Sequence, residues 1–222
     1  VAIGLAASGE GGIPSFQVTN STQSTISATI TVTPSYENNG IICDGNAETF
    51  TIMVNPSPEM DNVDDIVLCN NEISSIIEFT TPNTDGNTTY NWTNDNTSIG
   101  LSSSGNGDIP SFTAINLNPI TEVATITVTP TYENNGVVCI GDPQTFSISV
   151  LSEIEITATT VDALDCNDPN SGNINITVTG GSGVYDFLWS NGAITEDLNN
   201  IGPGDYSLSL IHISEPTRPL EI

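Results

Sequence analysis

Residues 1–207 contain no lysine, no arginine and no histidine. The single basic residue, Arg218, and the single histidine, His212, both fall in the last eleven positions. An average chain of this length would carry about 25 basic residues. Several functions go with them. Nucleic-acid binding draws its affinity from cations on phosphates, so it is excluded. An anionic membrane surface needs a basic patch, which is missing. Phosphoryl-transfer sites lose their lysine or arginine clamp. No Ser–His or Cys–His couple forms in the body, and histidine-based zinc sites are gone. Helical periodicity is lacking as well, and no apolar run approaches the 18 or so residues of a membrane span. Val1 opens directly in strand-like sequence, so the chain is expected to begin inside a longer protein.

What remains is acid and small polar residues. The chain has 27 Asp and Glu in 222 residues, yet only 13% of it is charged. A surface of one sign repels itself and suits a salty exterior, where screening acts over about 8–10 Å. Hydrophobic residues make up 36%, enough for small sandwich cores.

The strongest positive signal is an internal repeat at an offset of 96. IGLAASGEGGIPSF (3–16) returns as IGLSSSGNGDIPSF (99–112), and ATITVTPSYENNGIICDG (28–45) as ATITVTPTYENNGVVCIG (124–141). About 30 of the 52 positions from 3 to 54 are identical to their partners. A period near 100 is one domain per repeat. We therefore expect a partial module over 1–57, opening inside a domain, and a complete one over 58–151.

Each module reads as all-β. Ala124, Ile126 and Val128 alternate with Thr125, Thr127 and Thr129, giving an apolar inner and a threonine outer face. Thr29, Thr31 and Thr33 repeat that outer face, an ordinary solvent-facing pattern. Tyr90 and Trp92 share a face, as do Phe146, Ile148 and Val150. Asn-Asn-Gly at 38–40 and 134–136 supplies turns. A third segment, 152–207, alternates Ile174/Ile176/Val178 and Tyr185/Phe187/Trp189 between Gly-rich turns. The expected fold class is all-β, in tandem immunoglobulin-like sandwich modules.

Two resemblances rest on these motifs. TYNWTNDNTSIGLSSSGNGDIPSF, ATITVTPTYENNGVVCIGDPQTFSISV and Val67-Leu68-Cys69 resemble the PKD-like repeats of Bacteroidetes surface and secreted proteins. Cys166, GNINITVTGGSGVYDFLWSNGAITEDLNNIGPGDYSL and its Gly204-Asp205-Tyr206 turn resemble the SprB repeat of gliding-motility adhesins. The resemblances imply export, a place at the cell surface and adhesion or spacing, with no catalytic residue to carry over. LSLIHISEPTR (208–218) is similar to a translated sequencing adaptor, so 208–222 is expected to have no well-packed tertiary partner beyond a strand that its first residues, with apolar Leu208, Leu210 and Ile213, can mimic.

Four cysteines occur, at 43, 69, 139 and 166. Cys43 and Cys139 are repeat equivalents, so the simplest framework is a Cys69–Cys139 disulfide within the complete module, the other two lacking partners. Asp61, Asp64 and Asp65, and Asp165 and Asp168, are acidic clusters beside the module boundaries. Solvated loops are their ordinary reading and calcium ligation the sharper one; no EF-hand pattern occurs. Trp92 and Trp189 are expected in cores, with sugar stacking as the alternative. The asparagines of Asn-X-Ser/Thr triplets (20, 87, 91, 96 and 175) follow from composition.

The sequence thus reads as a non-catalytic structural or adhesive array. It has no cofactor apart from the calcium candidates, an unknown surface or polysaccharide ligand, and neighbouring repeats as its contacts. Alternatives are spacer modules of a secreted polysaccharide-degrading enzyme and a carbohydrate-binding module.

Overall fold

A computed structural model describes residues 3–162 and 170–212, the last two by backbone alone. The protein is all-β, with one short 3-10 turn among the described residues. Its strands are β1 (Ile26–Val32), β2 (Ser35–Asn38), β3 (Ile41–Asp44), β4 (Glu48–Val54), β5 (Ile66–Cys69), β6 (Asn87–Asn94), β7 (Ser104–Asn106), β8 (Glu122–Asn134), β9 (Val137–Ile140), β10 (Gln144–Val161), β11 (Gly172–Gly181), β12 (Tyr185–Trp189), β13 (Leu198–Ile201) and β14 (Leu208–His212).

The complete module is built on a sheet of order β7-β6-β8-β10-β5, parallel only at β5–β10. The alternation read in ATITVTP sets its faces: Ala124, Ile126 and Val128 are fully buried, while the intervening threonines face outward. Trp92, Phe146, Ile148 and Val150 extend the inner face. Two extended segments close the sandwich opposite it, joined by the bridges Ile73–Thr113 and Ile77–Ile109. They deliver Ile77, Phe79, Ile109 and Ala114 to the core. Phe79 packs on Tyr90 and Phe146 at centroid distances of 5.4 and 6.4 Å. Gly105 lies so close to the Trp92 indole that a Cβ there would come within 2.3 Å of the ring.

The first module repeats two local features of this geometry. Gly4 and Gly100 both sit at φ +91°, each with a facing carbonyl (of Gln17 or Thr113) only 2.1–2.2 Å from where a Cβ would stand. Asn20 donates to the carbonyls of Ser24 and Val54; Asn116 donates to those of Ile120 and Val150. The burial differs. Phe50 is 46% exposed where Phe146 is 5%, and Tyr36 is 69% exposed where Tyr132 is 0%. The cause is local: β1 pairs only with β4, whereas β8 is flanked by β6, β10 and β9.

The third unit joins the second half of β10 to β11 and β13, and pairs β12 with β14. Ile176, Trp189 and Leu198 form its core, with Leu208 packed against them. Trp189 donates from Nε1 to the carbonyl of Thr195 at 2.8 Å, and Tyr206 from its hydroxyl to that of Gly202 at 3.0 Å. Residues 208–212 form β14 beside β12, the strand that the first residues of this segment can supply, and the residues from 213 onward lie outside the described ones. Leu208 and Leu210 lie opposite Trp189 and Phe187, because their apolar alternation matches the open edge of β12.

Candidate functional site

The arrangement that bears on function is the pair of junctions between units. At the first, Thr25 precedes β1 and Asn55 follows β4, so both stand at one end of the first module. They meet the β8–β9 hairpin of the second, which turns through Asn135 and Gly136 at φ +51° and +76°. The Tyr132 hydroxyl donates to the Thr84 carbonyl at 2.7 Å and lies 3.5 Å from Thr25 Oγ1. Asn134 donates to Thr25 Oγ1 at 2.7 Å. Thr25 Oγ1 in turn lies 3.1 Å from the Asn55 side-chain oxygen. Asn55 Nδ2 reaches the Asn134 and Val137 carbonyls at 3.4 and 3.5 Å. The Thr84 amide donates to the Gln23 carbonyl at 2.8 Å, and Pro56 between the modules is fully buried. Every group in this set is uncharged. Where the ionised side chains of residues 1–207 only repel, neutral hydrogen bonds hold two modules together without adding carboxylates to the interface.

The second junction has no linker. β10 runs unbroken from Gln144 to Val161, pairing first with β8 and β5 and then with β11. A bulge between Ser152 and Glu155 marks the handover. Ser152 is buried there and donates to the Pro119 carbonyl at 3.3 Å. Gly180, at φ +90°, packs on the Glu153 carbonyl so closely that a Cβ would come within 1.9 Å of it.

The acidic cluster at 61–65 does not converge. Asp61 accepts from Thr80 Oγ1 at 2.6 Å, Asp64 from Asn62 at 3.2 Å, and Asp65 from the Ser147 amide at 2.7 Å. The Ser147 hydrogen bonds hold the Asp65 carboxyl below its usual range. Among the described residues no three His, Cys, Asp or Glu are grouped to hold a metal. The three carboxylates accept from three different partners and are not grouped around one point. Asp165, Asp168 and Cys166 lie outside the described residues.

The expected Cys69–Cys139 bridge is not formed; both are free thiols, as is Cys43. Cys69 lies opposite Leu151 and Cys139 opposite Tyr132. These two points stand at opposite ends of β8, roughly 30 Å apart at about 3.3 Å per residue. No disulfide spans that separation. Partial desolvation of the sulfur, and after it the charge of Glu72, pushes the pKa of the otherwise exposed Cys69 thiol up. Trp92 and Trp189 are 3% and 5% exposed, so neither presents a ring face for sugar stacking.

Composition gave no hint of the role of Asn116, which is buried and latches its loop to the end of β10. A signal existed nonetheless. Between residues 17 and 27 the repeat is otherwise divergent, and Asn20 and Thr25 are the two positions identical to their partners. One is the latch and the other the junction hydroxyl. The Asn20 and Asn96 side chains are likewise spent on the fold, Asn96 capping the 3-10 turn and donating to Glu122 at 2.8 Å. Hydrogen bonds from Asn96, Asn118 and Ser98 hold the Glu122 carboxyl low.

Residues 157–194 match the family described as the SprB repeat. The match begins within β10, beyond its bulge, and covers the β10–β11–β12 part of the third unit. A comparison with curated proteins finds no match for the chain. Among the described residues no helix is long and apolar enough to cross a membrane.

Proposed function

We propose that this chain is a non-catalytic stretch of a repeat-built protein displayed at the cell surface or exported. Its modules act as a stiff, acidic stalk of the adhesin or gliding-motility type. The reading rests most on the strand β10, which belongs to two units at once and leaves no flexible linker between them. The SprB repeat match supports the surface assignment. The PKD-like character of the 96-residue repeat rests on its sequence motifs and accords with an all-β sandwich. A surface without cations also suits a stalk, since it resists association with nucleic acid and anionic lipid while keeping neighbouring stalks apart.

The test is antibody labelling of intact source cells with serum raised against residues 58–207. Surface display predicts labelling without permeabilisation and its loss after brief external proteolysis. Labelling that appears only after permeabilisation would overturn the proposal. Small-angle scattering of the full chain supplies the second arm: a stalk gives one extended, salt-independent particle dimension, whereas a broad distribution of dimensions would refute stiffness.

A further inference from the structure

We infer that the Cys69 and Cys139 positions of the 96-residue repeat are the two halves of one disulfide that crosses from each module to the next. The argument is one of register. Cys69 lies directly opposite Leu151 in the parallel β5–β10 pair. Leu151 is the repeat equivalent of Asn55. A Cys69-type residue in a module placed like the first would therefore lie one strand spacing, about 4.8 Å, from Asn55 and on its face of the sheet. Asn55 points at the next module: its Nδ2 lies 3.5 Å from the Val137 carbonyl. Two residues along β9 stands Cys139, paired with Tyr132 and therefore on the face from which the Tyr132 hydroxyl meets Thr25. The two cysteine positions thus border the same junction. Cys139 is half-buried there and Cys69 is exposed at the far end of its own module, as a residue directed at the following module would be. The arrangement also explains why the repeat carries one cysteine at each end yet cannot join them internally.

The bond forms by oxidation of the two thiols. They lose two protons and two electrons, and one molecule of oxidised glutathione accepts them to give two of reduced glutathione. An exported protein meets oxidants of this class. The link would bracket the neutral hydrogen bonds of Thr25, Asn55, Tyr132 and Asn134 with a covalent one.

The test places two complete repeats in series. Residues 1–54 of the chain are replaced by a copy of residues 58–150, so that Val150 is followed by Asn55 and Pro56 as Val54 is now. The copied unit carries β5 to β9, β10 as far as Val150, and the core cluster from Met60 to Val150. After incubation in a glutathione redox buffer, peptide mapping without reduction should show the copied Cys69 linked to Cys139, with the original Cys69 still alkylated. A Cys69→Ser change in the copy should abolish the link and leave Cys139 alkylated. In a second arm, residues 58–96 are added before Val1, leaving the present junction untouched, and the same pair should form. Alkylation of both the copied Cys69 and Cys139 in either folded, oxidised chain overturns the inference. So does a link between the two cysteines of a single module.

Discussion

Replacing Asn116 with alanine should destabilise the complete module by about 2–4 kcal/mol. The side chain is 3% exposed. Its Nδ2 donates to the Val150 carbonyl, a buried bond, and to the Ile120 carbonyl, both at 2.8 Å. Its Oδ1 accepts from the Asn118 amide at 2.9 Å. Truncation leaves the Val150 carbonyl unsatisfied in a dry site, at about 1–3 kcal/mol, and removes a second, partly buried bond, at about 1 kcal/mol. The assay is urea unfolding followed by tryptophan fluorescence in a Trp189→Phe background, so that Trp92 reports the module alone. With a slope of about 1.5 kcal/mol/M, the midpoint should fall by about 2 M. The equivalent change at Asn20 removes the same bonds from a more exposed site and should cost about half as much. A midpoint shift at Asn116 below about 0.3 M would refute the reasoning, since it would mean that water replaces the latch without cost.

Four further outcomes follow from the charges, the second junction and the Asp65 hydrogen bond. Sodium chloride should raise the melting temperature of the full chain, because ionised side chains in residues 1–207 only repel and screening relieves the compact state most. Calcium chloride at matched ionic strength should add nothing through the divergent Asp61, Asp64 and Asp65, and a melting temperature that falls with sodium chloride would contradict the first statement. Gly180→Ala should lower the stability of the third unit by about 2 kcal/mol or more, read by Trp189 fluorescence, because an L side chain at φ +90° is strained and its Cβ would collide with the Glu153 carbonyl. Asp65→Asn should weaken the second module at neutral pH. Asp65 has a depressed folded pKa, so its contribution is present above the unfolded carboxylate range and lost as pH falls through the folded value. The difference between the two proteins in urea midpoint should therefore close below about pH 4, and a constant difference down to pH 2 would contradict that assignment.

The sequence by itself determined the strands, their faces and the equivalence of the two modules. Alternation in Ala124–Val128 or Phe146–Val150 states which side chains turn inward, because the period of a strand is two whatever it pairs with. The same local rule placed the turn at Asn134–Gly136 and named Trp92 and Trp189 as core. It could not state which strands lie side by side. Pairing of β5 with β10 joins residues some 80 positions apart, and that choice placed Cys69 at the opposite end of the module from Cys139. The bridge expected from cysteine arithmetic failed there, since spacing along the chain carries no information on distance across a sheet. Nor could local pattern tell Phe50 from Phe146: their segments read alike, and only the strands flanking β8, with none of the kind beside β1, bury one and expose the other. The junction was hidden for the same reason. Thr25, Asn55, Tyr132 and Asn134 are ordinary strand-end residues in one dimension, and they become one hydrogen-bonded set when packing brings the end of one module onto the hairpin of the next.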